Sequence, residues 1–272
     1  MDNTFRESID LNSSGDKLVV AGSTYISVYE NINNSWQIVG SPITVSTTEQ
    51  SIRMSVAING NGKIVVVGMP SESKVKVFEY KHSAWSQLGE DISIWYYGMK
   101  LLGYSVDISE DGLTIVASNP GNIEKHLNVK TGNYEKIGIE NIRGIGVAYL
   151  LKFDSESDAW TYNQETHIVH PSASSKTNQY NDYEFGKKIK LSKDLSTILI
   201  SSRDKTYIYY ERSGRISRWA KAEKEIPGVS CDLNENGSRI LSNNGDFLEL
   251  YSYEKNQDPG NVIDVPDGCN RS

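Results

Sequence analysis

The chain is short of the residues that build most catalytic and metal centres. It has two cysteines and four histidines in 272 residues. Cys231 and Cys269 are too few for a disulfide framework, and their spacing fits no zinc motif. Apolar runs are short as well. None reaches the 18 or so residues needed to cross a bilayer as a helix. The opening MDNTFRESID lacks the apolar h-region of a secretory signal. An intracellular, reducing setting is therefore expected, with a virion as the alternative. In such a setting a Cys231–Cys269 bond stapling the end of the chain is the exception.

Positive charge is also in deficit, with 28 Lys and Arg against 35 Asp and Glu and a net charge of −7. That balance argues against a nucleic-acid binder or a binder of anionic membranes. The basic run Arg212-Ser213-Gly214-Arg215 falls in a turn, where charges are usually just solvated. Catalytic signatures are missing too. There is no G-x-S-x-G elbow. Arg143-Gly144-Ile145-Gly146-Val147 has two of the three glycines of a dinucleotide fingerprint and no helix after it, so it reads as the entry to a strand. No cofactor and no metal are expected, and the chain is not expected to be an enzyme.

What the chain does have is a repeat. Val106-Asp107-Ile108-Ser109 is a short alternating strand. It turns through Glu110-Asp111-Gly112 and continues as an apolar strand ending in Asn119-Pro120. The same unit begins at Ile9-Asp10-Leu11-Asn12, Val56-Ala57-Ile58-Asn59, Ile189-Lys190-Leu191-Ser192 and Cys231-Asp232-Leu233-Asn234. Each is a hairpin: alternation, a polar turn, then a β-branched strand. In the fourth copy Leu195 stands where the others carry glycine. A third strand follows each hairpin, and a fourth opens on Trp36, Trp85, Trp160 or Trp219. The fifth copy lacks that tryptophan. Its outer strand is either Val262–Val265 or the N-terminal Thr4-Phe5-Arg6.

Units of roughly 45 residues that cannot bury both faces alone stack radially. The expected fold is all-β: one five-bladed β-propeller over 1–272, built of four-stranded antiparallel meanders. The blades are expected near 8–50, 51–99, 100–182, 183–228 and 229–272. The Trp residues read as blade packing.

Phe185-Gly186, Gly103-Tyr104-Ser105, Gly68-Met69-Pro70, and Val77-Phe78-Glu79-Tyr80 followed by Trp85-Ser86-Gln87-Leu88-Gly89 resemble degenerate FG-GAP-type repeats. The resemblance is to those of algae and large DNA viruses and, distantly, to the integrin α propeller. It implies an interaction scaffold and leaves a minor virion component as an alternative. Calcium-binding members carry several aspartates in the first turn. The turns here carry too few carboxylates for the six to eight oxygens that calcium needs.

Function is expected where the repeat is interrupted. Two insertions, 119–144 and 163–183, should leave the propeller at the same end, and long loops on rigid scaffolds are where contacts gather. Ile123, Leu127, Tyr134, Tyr180 and Tyr183 are the candidate partner-binding residues, and the expected partner is another protein. A carbohydrate-binding propeller would place aromatic and carboxamide groups equivalently in every blade, so insertions in one region make it the weaker alternative. His167 and His170 precede Pro171 and a Ser-rich run, and are expected in a solvated loop.

Overall fold

The computed structural model describes residues 8–22, 24–45, 52–94, 101–120, 126–127, 134–135, 146–162, 167–171, 184–211, 219–228, 230–243, 245, 247–253 and 262–264. It is a five-bladed β-propeller of antiparallel sheets. The first blade is β1 (Ser8–Leu11), β2 (Lys17–Ala21), β3 (Tyr25–Ile32) and β4 (Ser35–Ile38), with β5 (Ile43–Thr44) also on β3. The second is β6 (Ser55–Ile58), β7 (Ile64–Met69), β8 (Lys74–Lys81) and β9 (Ala84–Gln87). In the third, β10 (Val106–Ile108) and β11 (Thr114–Asn119) lead to a separate hairpin, β12 (His126–Leu127) and β13 (Tyr134–Glu135). The blade resumes as β14 (Val147–Asp154) and β15 (Ala159–Tyr162), with β16 (Ile168–Val169) back on β14. The fourth is β17 (Lys188–Leu191), β18 (Thr197–Ser201), β19 (Lys205–Glu211) and β20 (Trp219–Pro227). The fifth is β21 (Ser230–Leu233), β22 (Arg239–Asn243), β23 (Leu248–Tyr253) and β24 (Val262–Asp264). Of the two candidates for the last outer strand, the C-terminal one pairs with β23, through Ser252↔Ile263. The N-terminal candidate lies outside the described residues.

The fourth residue of each repeat explains why these hairpins form. Asn12 Oδ1 accepts the Lys17 amide, Asn59 Oδ1 the Ile64 amide, and Asn234 Oδ1 the Arg239 amide. In the third and fourth copies Ser109 Oγ accepts from Thr114 and Ser192 Oγ from Thr197. A short polar side chain thus closes the turn by bonding the first amide of the next strand. The turn carboxylates serve the same purpose. Asp111 Oδ1 accepts from Leu113 N and Ser109 Oγ, and Asp194 Oδ1 from Ser196 N and Ser192 Oγ. Among the described residues, no three His, Cys, Asp or Glu side chains gather as metal ligands.

Alternation along the strands then sorts side chains onto the two faces of each blade. One face of the first blade (Val19, Ala21, Ile26, Val28) packs on Val56, Ile58, Val65 and Val67 of the second. The opposite face of the second (Ala57, Val66, Val75, Val77) meets Val106, Ile108 and Ile115 of the third. The third meets the fourth, and the fourth the fifth, in the same way. The tryptophans add a bond across the junction. Trp85 Nε1 donates to the Val39 carbonyl at 2.9 Å and Trp160 Nε1 to the Leu88 carbonyl at 3.0 Å. Pro70–Glu72 forms a 3-10 turn, and among the described residues no helix is long and apolar enough to cross a membrane.

Candidate functional site

Three residues in one row, Asn119, Val147 and Val169, anchor both interruptions of the repeat. Asn119 pairs with Val147 across β11 and β14, and Val147 pairs with Val169 across β14 and β16. The first insertion therefore leaves beyond Asn119 and returns at Val147. The second touches β14 at that same end before it continues to the fourth blade. Odd and even strands of a meander run in opposite senses, so the second-to-third connection and the blade-to-blade connection must share an end. Asn119, Val147 and Val169 lie side by side at that end.

Of the candidate contact residues, Leu127 and Tyr134 are brought opposite each other in the β12–β13 pair. Ile123, Tyr180 and Tyr183 lie outside the described residues, as does Cys269. Cys231 occupies β21 opposite Ser242.

The histidine expectation is corrected here. Ile168–Val169 is a strand, and it carries His170 into the junction of blades three and four, where the side chain is buried. The His170 amide donates to the Gly146 carbonyl at 3.3 Å, and its Nε2 lies 3.1 Å from the Tyr207 hydroxyl. The His170 ring stands edge-on to Phe185 and Tyr207, with centroids 5.3 and 5.6 Å away, and Phe185 and Tyr207 are 5.4 Å apart. Perpendicular arrangements of this kind are the favoured aromatic geometry. A run of His, Pro and Ser looks solvated in sequence. Its burial is decided by partners from another blade.

A charged shell continues from this aromatic centre. Lys205 and Lys221 place their ammonium groups 5.2 and 5.3 Å from the centroid of the Tyr207 ring. Both bond Glu225, at 3.0 Å each. Burial alone would raise the Glu225 carboxyl, but the hydrogen bonds from Lys221 and Lys205 outweigh it and hold the group below its ordinary value. Burial, and then the negative charge of Glu225, push the Tyr209 phenol up. Gly186 seats the fourth blade against the insertion's exit. It sits at φ +95°, and a Cβ there would lie 3.2 Å from Ser118 Cβ and 3.5 Å from Pro120 Cα. Both insertions are thus rooted on a packed base, in which the buried Asn119 Nδ2 has no hydrogen-bond partner among the described residues. That arrangement can present loops; it leaves His170 committed to Tyr207 and the aromatic packing.

A second cluster lies on the propeller axis. The second residue of the repeat is Asp10, Ala57, Asp107, Lys190 and Asp232 in blade order. Lys190 Nζ stands 3.5 Å from Asp10, 3.8 Å from Asp107 and 3.9 Å from Asp232. The negative charge of Asp107 raises the Lys190 ammonium against the effect of burial, and Asp10 and Asp232 add to it. Burial raises the Asp10 carboxyl, with Lys190 opposing. Asp10 Oδ2 also accepts the Ile58 amide and Asp107 Oδ2 the Leu191 amide, so these carboxylates bridge neighbouring blades. Lys193 Nζ reaches the carbonyls of Ile58 and Ile108. The ammonium of Lys190 stands where a cation between three carboxylates would, so the cluster is a brace across the ring. Aligning the repeats by position was the signal that would have found it.

No protein-family model matches the sequence, and no curated protein matches it. Solved structures match its fold. The β-propeller domain of Cps50 (Swd1) from Myceliophteria thermophila has a TM-score of 0.57 at 12% identity, over 95% of this chain and 71% of that one. A functionally unknown protein from Desulfotomaculum acetoxidans has a TM-score of 0.56 at 14% identity, over 94% and 70%. A candidate 6-phosphogluconolactonase from Bacteroides uniformis has a TM-score of 0.51 at 14% identity, over 95% and 83%. At these identities the likeness is one of fold.

Proposed function

We propose that the chain is a non-enzymatic protein-interaction scaffold whose binding end is the rim of the third blade. The observation that carries this reading is the Asn119–Val147–Val169 row, which roots two long connections at one end of one blade. Loops fixed at their roots and free of the repeat's packing constraints can vary in sequence without cost to the disc. Ile123, Leu127, Tyr134, Tyr180 and Tyr183 supply the apolar and aromatic groups that protein contacts favour. The FG-GAP-like spacing of the repeats supports the same class, since such propellers serve as scaffolds.

The test is affinity capture from the native source with the full chain and with a variant in which 120–143 is replaced by a short turn. The expected result is an intact propeller, judged by its far-ultraviolet spectrum and cooperative melt, that no longer retains the partner held by the full chain. Equal capture by both proteins overturns the assignment to this rim. A lactonase assay on 6-phosphogluconolactone is the complementary check. Turnover above the uncatalysed rate would sink the non-enzymatic reading.

A further inference from the structure

Two residues before the axial position of the repeat stand Ser8, Ser55, Ser105, Lys188 and Ser230, in blade order. Three of the serines bond the next blade. Ser8 Oγ accepts the Val56 amide at 3.2 Å, Ser105 Oγ accepts the Ile189 amide at 3.1 Å, and Ser55 Oγ donates to the Gly103 carbonyl at 2.8 Å. An ammonium has three donors and no lone pair, so it cannot take the accepting role of Ser8 and Ser105. The fourth blade therefore departs from the repeat at this position and places an amine there.

Lys188 opens β17, the strand that the second insertion leads into, and pairs with Ser201. Alternation puts its side chain on the same side of the strand as Lys190. The charged groups it faces are Lys190 of its own strand, Asp107 of β10, Asp232 of β21 and Asp10 of β1. Those three carboxylates are already gathered on Lys190, each within 3.9 Å. Among the described residues the Lys188 ammonium has no ion pair and no hydrogen bond, whereas the adjacent Lys187 pairs with Glu184 at 2.6 Å. Lys188 is half-buried. Burial, and then the positive charge of Lys190, lower its ammonium against the pull of the three carboxylates. A desolvated amine beside another cation, with no partner to hold its proton, is the arrangement that makes a lysine nucleophilic.

We propose that Lys188 is a covalent site for small neutral aldehydes, which condense with its amine to an imine at the loop-bearing end of the propeller axis. The neutral amine adds through Nζ to the carbonyl carbon. Its two protons leave with the carbonyl oxygen as one water, C=N replaces C=O, and nothing is oxidised or reduced. A proton from solvent then turns the imine into an iminium, a cation in the field of Asp10, Asp107 and Asp232. With Lys188 neutral, the rest of the axial set is three carboxylates and one ammonium, and that negative balance disfavours carbonyl compounds that carry a carboxylate. A stoichiometric adduct requires no turnover. The site is therefore compatible with a scaffold, and it stands whether or not the insertions bind a partner.

The test treats the full, folded chain with limiting propanal and cyanoborohydride at pH 7 and maps the propylated lysines by peptide mass. Lys188 is expected to be labelled several-fold ahead of Lys81, whose side chain is 62% exposed and has the advantage in access. That lead is expected to shrink as pH approaches about 10, where ordinary lysines also shed their protons. In urea it is expected to vanish, because the unfolded chain presents both amines alike. With glyoxylate in place of propanal, the lead of Lys188 over Lys81 is expected to be smaller. Labelling of Lys188 level with or behind Lys81 in the folded chain overturns the proposal. So does a lead that is independent of pH or survives in urea, since neither would come from the folded axis. An equal or larger lead with glyoxylate overturns the choice of neutral aldehydes.

Discussion

The indole of Trp85 reaches out of its own blade to donate to the Val39 carbonyl of the blade before it, at 2.9 Å. The chain beside that carbonyl turns at Gly40, at φ +72°, where a Cβ would lie 3.1 Å from Trp85 Cδ1. Trp160 repeats the arrangement with Leu88 and Gly89 in the next blade. At Trp85 and Trp160 the tryptophan that marks the outer strand in the sequence is therefore a clasp between neighbours. Trp85→Phe keeps most of the ring contact and removes the donor, so it is expected to destabilise by about 1 kcal/mol. Trp85→Ala also removes the packing and is expected to cost about 3 kcal/mol, toward the low end for a partly covered aromatic. Urea unfolding of the three proteins separates these values, and equal losses for Phe and Ala would assign the whole effect to the hydrogen bond.

The axial lysine makes a prediction about pH. Burial raises the Asp10 carboxyl, and Lys190 is the main influence opposing that rise. A carboxyl raised on folding contributes stability below its unfolded value, near 3.9, and loses it as pH rises through the folded value. Removing Lys190 raises Asp10 further and leaves Asp107 without its ammonium. Lys190→Met is expected to cost about 3 kcal/mol at neutral pH, the loss typical of breaking a buried pair by taking away one partner. That deficit should shrink as pH falls, because the Asp10 carboxyl, raised further without Lys190, protonates. Denaturant midpoints from pH 7 to pH 4 check it, and a deficit that stays constant would mean that Lys190 acts through packing alone.

The blades were legible in the sequence because each element of the repeat is local. Ile58 and Val56 alternate, Asn59 closes its own turn five residues on, and the β-branched run of β7 follows directly. What was not legible depends on neighbours far along the chain. His170 sits among His, Pro and Ser, and only Phe185 and Tyr207 of the next blade make its position a buried one. Asp107 and Lys190 look like the solvated half of two alternating strands; stacking the blades in a ring turns that half toward a shared axis. The fifth blade's outer strand had two candidates of similar character, and register with β23 selected the C-terminal one.

Asp91 carries the opposite pH sign from Asp10. A hydrogen bond from Lys76 at 2.8 Å, with further help from Gln87 and Lys74, holds its carboxyl below the ordinary value. A lowered carboxyl contributes stability above its unfolded value and loses it as pH falls through the folded one. Asp91→Asn is therefore expected to lower stability at pH 7 and to match the wild type at the acid end, where both side chains are neutral. Thermal melts at a series of pH values measure the gap, and a gap that persists in acid would point to lost hydrogen bonds instead of lost charge.

Gly112 and Leu195 hold the same place in two turns and share a left-handed backbone, at φ +78° and +61°. Only one of them is glycine. A side chain in that conformation costs about 1–2 kcal/mol. At Gly112 a Cβ would also lie 2.5 Å from Ile64 Cδ1 and 3.0 Å from Asn59 Nδ2, the side chain that closes the second blade's turn. Gly112→Ala is expected to lose about 2 kcal/mol, from backbone strain together with displacement of the Ile64 tip. Leu195→Gly removes the strain but also removes a partly buried side chain packed on the third and fourth blades. It frees the unfolded chain as well, which offsets about 0.5–1 kcal/mol of the relief. The net change is expected to fall within about 1 kcal/mol of zero. Chemical denaturation of both variants tests the contrast. A large gain from Leu195→Gly would show that the leucine is retained at a cost to stability, and so for a contact outside the folded chain.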